Sequence, residues 1–289
     1  MSAVVTVPER GAWARFGTAI VRHKMASLGA GLVLAVALSA LFAPWLSPHD
    51  PLEQDVLQRL AGPSADFPLG SDSFGRDILS RILWGGRVSL LVGTSAVLLA
   101  IAIGGVLGML AGYIGGVFDR VVMAAMDVLL SFPTLVMGLL VVAMLGPTVG
   151  NLILAITLTA IAPFARIARA PTLAIKERDF IEAGRALGFS NLRIMLVHIL
   201  PNIIDEILVM ASLWLATAIR TEASLSFIGL GVRPPTATWG GMIREGFENI
   251  LDAPWLALFP SLAILVIMLG LNMLGDGLRD ATDPRLRHE

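Results

Sequence analysis

Six stretches of the chain are apolar for about the thickness of a bilayer, and short polar or Gly/Pro-rich joints separate most of them. A spanning helix needs roughly 20 predominantly apolar residues. The runs fall at about 25–46, 88–112, 121–145, 149–170, 203–227 and 256–276. The joints include Gly115-Gly116-Val117-Phe118-Asp119-Arg120 and Gly146-Pro147-Thr148-Val149-Gly150, and longer connections lie at 47–87, at 228–255 and after the fourth run. This pattern predicts an all-α membrane protein with six transmembrane helices. Arg15, Arg22 and Lys24 precede the first run as they would a secretory signal. That run is longer than the roughly 7–15 apolar residues of a signal core, so it reads as an uncleaved first span.

Composition agrees with the pattern. The mean hydropathy is +0.79 and only 15% of residues are charged, against about 25% in soluble domains. The net charge of −1 offers no general attraction to nucleic acid. The absence of cysteine excludes disulfides, thiolate metal sites and a Cys nucleophile. The placement of Lys and Arg says more than their total. If the N-terminus is inside, 14 of the 21 basic residues fall on the cytoplasmic side, six of them around the loop after the fourth run: Arg166, Arg169, Lys176, Arg178, Arg185 and Arg193. The positive-inside rule is satisfied with both ends cytoplasmic.

Within the second run Gly104, Gly108 and Gly112 recur every four residues, so they stack on one helix face and allow another backbone to approach closely. Pro133, Pro163, Pro171 and Pro260 are expected to bend or end their helices. The stretch at 176–188 reads as a short cytoplasmic helix on which Phe180, Ala183 and Leu187 share a face. Gly188 sits where a helix C′ residue takes a left-handed conformation. Ser190 is placed to cap a second short helix running to Leu200, and Pro201 is expected to break it from the fifth span. The small residues Ala183, Gly184 and Ala186 suit a groove on a partner, although an amphipathic loop resting on lipid would show the same periodicity.

The order of residues adds to this. Glu182-Ala183-Gly184, then Gly188, then a stretch ending in Leu200-Pro201, resembles the EAA loop of binding-protein-dependent ABC importer permeases. Gly184 departs from that pattern in place of alanine, and His198 in place of isoleucine. Leu69-Gly70-Ser71-Asp72-Ser73-Phe74-Gly75-Arg76-Asp77-Ile78-Leu79-Ser80-Arg81 resembles a signature of the C-type permease of dipeptide, oligopeptide and nickel importers. So do Asp127 with Ser131-Phe132-Pro133, Leu225-Ser226-Phe227-Ile228-Gly229-Leu230-Gly231 with Pro234-Pro235 and Trp239-Gly240, and Gly275-Asp276-Gly277-Leu278-Arg279-Asp280 with Asp283-Pro284-Arg285.

The resemblance implies a type I importer permease fold, N-in and C-in, in the bacterial cytoplasmic membrane, with cytoplasmic coupling helices. It divides the chain into a cytoplasmic segment at 1–24, a first span and outer loop at 25–87, and a permease domain at 88–289 whose coupling loop lies at about 172–201. It assigns contact with the ATPase to Glu182, Ala183, Gly184, Leu187, Gly188, Leu200 and Pro201. It also implies a B-type permease as heterodimer partner, one or two ATPase subunits that hold ATP and Mg, and an extracytoplasmic solute-binding protein. The outer connections would serve these partners or act only as caps. The chain itself has no Gly-x4-Gly-Lys-Ser/Thr phosphate loop, so it is expected to bind no cofactor and not to be an enzyme. Short peptides are the expected cargo, with nickel chelates, glutathione-like and opine-like solutes as alternatives.

Single residues raise narrower expectations. Asp127, the only acid well inside the third run, either contacts the pathway or pairs with Arg120 or Arg166. Arg220 and Glu222 lie near the outer end of the fifth run, to pair with each other or snorkel outward, with Arg220 positioned to receive a peptide carboxylate at the outer mouth. The 12 Met and 6 Trp read as packing and interfacial belt. An ion-coupled secondary transporter would need more buried acids than Asp127. A membrane hydrolase would need a catalytic constellation that His23, His49, His198 and His288 do not form.

Overall fold

The computed structural model describes residues 23–282. They are helical, with no strand among them beyond an isolated bridge between Ser71 and Asp77. Most of the segment at 1–24 and the Asp283-Pro284-Arg285 motif lie outside the described residues. The helices are α1 (Lys24–Leu41), α2 (Ala43–Leu46), α3 (Ile78–Ala100), α4 (Val106–Ile114), α5 (Gly116–Ser131), α6 (Thr134–Leu145), α7 (Val149–Ile175), α8 (Asp179–Ala186), α9 (Asn191–Arg193), α10 (Leu200–Phe227), α11 (Trp239–Glu248) and α12 (Trp255–Thr282). Five of the continuous rods (Lys24–Leu41, Ile78–Ile114, Val149–Ile175, Asn191–Phe227 and Trp255–Asp280) are long and apolar enough to cross a membrane. A sixth candidate is the pair α5 and α6, which meet at 88°.

This bent pair is one span. The Arg169 guanidinium of α7 grips both oxygens of Asp119 in the first turn of α5, at 2.5 and 2.6 Å. The end of α7 and the start of α5 therefore share a side of the membrane. The start of α7 follows the end of α6 after a three-residue joint, and 27 helical residues run about 40 Å at 1.5 Å each, enough to cross. The chain must then cross between Gly116 and Leu145. With six spans and the orientation set by the Lys and Arg distribution, the basic loop after α7 is cytoplasmic.

Four expectations about boundaries change. The second span begins at Ile78 rather than near 88, so part of the presumed outer loop is helix; Asp77 caps it, accepting from Ser80 N at 2.8 Å. The third span is two half-helices rather than one. The break falls at Phe132-Pro133, where both residues have extended backbone. Of the prolines expected to bend or end their helices, Pro163, Pro171 and Pro260 do not end them: α7 and α12 run through them. Nor does Pro201 separate a coupling helix from the fifth span. It follows directly on a π-helical turn, and the helix continues through it. The π-helical turn Ile194–Ile199 joins α9 to α10 as one 37-residue run.

The core lies between α3, α4, α6, α7 and α10, with Phe164, Ile156, Ile199, Ile203 and Leu225 among its fully buried side chains. The glycine stripe builds one of its seams. A Cβ at Gly104, Gly108 or Gly112 would overlap the carbonyl of Ile161, Ala165 or Arg169 respectively, so each turn of the second span's inner half seats on the matching turn of α7. A second seam, not anticipated from the sequence, holds α1 against α12. There Gly29 meets Gly270 and Leu274, and Gly277 meets Ala26.

Candidate functional site

The cytoplasmic element is braced from within. Glu182 and Asp179 lie in the first turn of α8 and Arg185 in its last, each sign complementing the helix dipole. Gly188 N–H donates to Arg185 O at 2.9 Å and Phe189 N–H to Gly184 O at 3.0 Å. With φ of +79° at Gly188, this is a Schellman cap. The cap folds the Phe189 ring over Gly184, where a Cβ would stand 3.0 Å from Phe189 Cδ2. The Phe189 ring stacks on His198 at 5.7 Å and 2°, and Arg193 Cζ lies 4.2 Å from the centroid of the same ring. Both departures from the family pattern thus belong to one stack. Ser190 accepts from Arg193 N as the cap of α9. Tyr113 Oη donates to Asn191 Oδ1 at 2.7 Å, tying the element to α4.

The exposed surface of the element carries an apolar patch flanked by the charges of Asp179, Glu182 and Arg185. Ile181 and Gly184 point inward, whereas Phe180, Ala183 and Leu187, together with Leu192, Leu196 and Val197 beyond the turn, are exposed; Leu187 is 74% exposed. Glu182 and Pro201 are exposed and Leu200 half-buried. Of the residues assigned to ATPase contact, Gly184 and Gly188 shape the element while Ala183, Leu187 and Glu182 form its surface.

The three charged candidates fall in different places. Asp127 Oδ1 accepts from Arg166 Nη2 at 2.6 Å, not from Arg120, and both side chains are more than half exposed. Arg220 and Glu222 do not pair. Two residues apart on a helix, they point roughly 200° apart. Arg220 is exposed, and Glu222 is enclosed at 0% exposure. Its carboxyl accepts from Ser89 Oγ of α3 at 2.8 Å and from Ser226 Oγ at 2.7 Å, so it clamps two spans rather than lining a mouth. Glu222→Ala should leave both hydroxyls unsatisfied away from water at about 1–3 kcal/mol each. Glu222→Gln keeps an acceptor and should lose about half as much. Unfolding of the purified complex in graded denaturant separates them, and equal stability in both variants would refute the clamp.

The outer connections are tied to each other. Asp72 Oδ2 lies 2.6 Å from Arg76 Nε and 3.2 Å from Arg81 Nε, all three residues being buried. Glu245 of α11 accepts from Ser73 N at 3.1 Å and from Ser73 Oγ, and approaches Arg76 Nη2 at 3.5 Å. Trp239, 2% exposed, donates from Nε1 to Ile82 O at 3.0 Å. The signature at 69–81 is therefore the socket for α11, a partnership invisible in a local motif.

Comparison with known proteins agrees with this architecture. The family described as the binding-protein-dependent transport system inner membrane component matches residues 104–288, and the N-terminal TM domain of oligopeptide transport permease C matches residues 10–63. The chain is 41% identical to a dipeptide transport system permease protein of Alkalihalophilus pseudofirmus over 92% of its length and 88% of the relative's. It is 42% identical to a glutathione transport system permease protein of Pectobacterium atrosepticum over 98% and 93%. Among solved structures, an inward-facing methionine ABC transporter aligns with a TM-score of 0.57 at 18% identity, over 70% of this chain and 97% of that one. The fold, the order of its motifs and these relatives together place the chain in the family of inner-membrane permease components of binding-protein-dependent transport systems.

Proposed function

We propose that this chain is the C-type half of a heterodimeric permease that imports short peptides. In this reading a B-type permease is its partner in the membrane, separate subunits bind ATP and Mg, and an extracytoplasmic protein delivers the cargo. Closure of the ATPases displaces α8, and the braced element passes the movement to the spans, which alternate between inward- and outward-open arrangements. The exposed apolar surface of Phe180, Ala183 and Leu187 on a rigidly capped helix carries this reading. Such a patch ringed by charge marks a protein contact.

The test is Leu187→Glu in the assembled importer. Leu187 touches little in its own chain, so insertion should be normal. Losing a buried leucine contact, about 1.5–3 kcal/mol, should weaken ATPase attachment and peptide-stimulated hydrolysis by roughly tenfold or more. Wild-type hydrolysis and uptake in that variant, or uptake by the chain with no ATPase present, would overturn the assignment. Glutathione is the second cargo to assay, because relatives at 42–43% identity carry that name.

A further inference from the structure

Seven basic residues lie on the outer side under the six-span topology, and all are arginine: Arg59, Arg76, Arg81, Arg87, Arg220, Arg233 and Arg244. Positive charge on a translocated segment runs against the preference that orients the chain. Yet five of the seven converge. Arg59, Arg76, Arg81, Arg233 and Arg244 line a single cavity of about 630 Å³ between the two outer connections. That volume falls within the roughly 300–1,000 Å³ of small-molecule sites.

The cavity is built rather than incidental. Its floor is the buried pair Arg76 and Arg81, fixed by Asp72. Arg244 on its wall lies so close to the backbone of Gly229, at φ +94°, that a Cβ there would overlap Nη1. A glycine in the 225–231 motif thus makes room for that guanidinium, which also pairs with Glu248 at 3.2 Å. Arg59 and Arg233 are exposed and have no ionic partner among the described residues, so their donors remain available. Planar guanidinium forks match carboxylates bidentately, which an ammonium does not.

We propose that this cavity is a carboxylate receptor on the outer face of the permease, taking the C-terminal carboxylate of a peptide at hand-over. The inference rests on the peptide reading above, and it moves the anion site from Arg220, which lies outside the cavity, to Arg59 and Arg233.

Two measurements on the complete importer test it. In the first, phenylglyoxal labels the arginines, read by mass spectrometry, with trialanine or trialaninamide as probe. Trialanine should protect Arg59 and Arg233 and the amide should not; no protection, or equal protection by both, would overturn the proposal. In the second, the double variant Arg59→Gln, Arg233→Gln should lower ATP-driven uptake of trialanine by about tenfold, the loss expected for hydrogen bonds to a charged group. Uptake of trialaninamide should change little. An equal fall for both peptides would instead assign the arginines to docking of the binding protein and reject the receptor. Uptake of neither peptide by the wild type would refute the peptide reading alone, because the labelling decides the cavity without transport.

Discussion

Gly108→Leu should leave the chain unable to close its core. The α4–α7 seam has no space at this position: a Cβ would overlap the Ala165 carbonyl, and Gly104 and Gly112 meet the same helix one turn away on either side. A leucine must push the helices apart along the whole stripe. Overpacking of this kind costs about 1–3 kcal/mol where neighbours can yield, and here the neighbour is backbone that cannot rotate away. The yield of assembled permease extracted from the membrane should collapse, with Gly108→Ala intermediate. Gly105, which faces open space apart from Ile101, is the control, and Gly105→Ala should assemble normally. Equal yields for Gly108→Leu and the wild type would show that the seam does not hold the fold.

Gly188→Val should give the opposite phenotype, an assembled complex that hydrolyses ATP without moving cargo. The φ of +79° at this position disfavours a β-branched residue by about 1–2 kcal/mol. The relaxed alternative abandons the Schellman cap and with it the Phe189–His198 stack. Gly188→Asn should be milder, because asparagine tolerates the left-handed region. Gly188→Pro should be worst, since it also removes the N–H bonded to Arg185 O. Glu182→Gln, at an exposed residue, should reduce coupling without altering assembly. Peptide-stimulated ATPase and uptake in proteoliposomes rank the series, and equal coupling in the Val, Asn and Pro variants would exclude a role for the cap.

Most of the architecture was legible because a bilayer imposes a length on apolar runs. The glycine stripe, the turn at Gly188 and the cap at Ser190 could be read because each depends on neighbours within a turn or two. The features that escaped depend on distant partners or on backbone accommodation. Arg81 and Arg87 masked the start of the second span, since only the fold shows that Asp72 neutralises the first of them. Glu222 looked like a surface charge because its partner Ser89 lies 133 residues away. Pro201 looked like a terminator because the π turn before it cannot be inferred from hydropathy. His198 looked like a deviation until Phe189 was found stacked against it.

That π turn has a mechanical consequence. By keeping α9 and α10 in one piece, it makes 37 residues into one continuous helical run of about 55 Å that carries both the cytoplasmic tip and the Glu222 clamp. Such a run behaves as a lever. If its fulcrum lies near mid-membrane, where α3 and α7 grip it, a push on the inner arm swings the outer arm the opposite way by a similar amount. Opening on one face and closing on the other then become a single rotation, and no signal needs to be relayed between them.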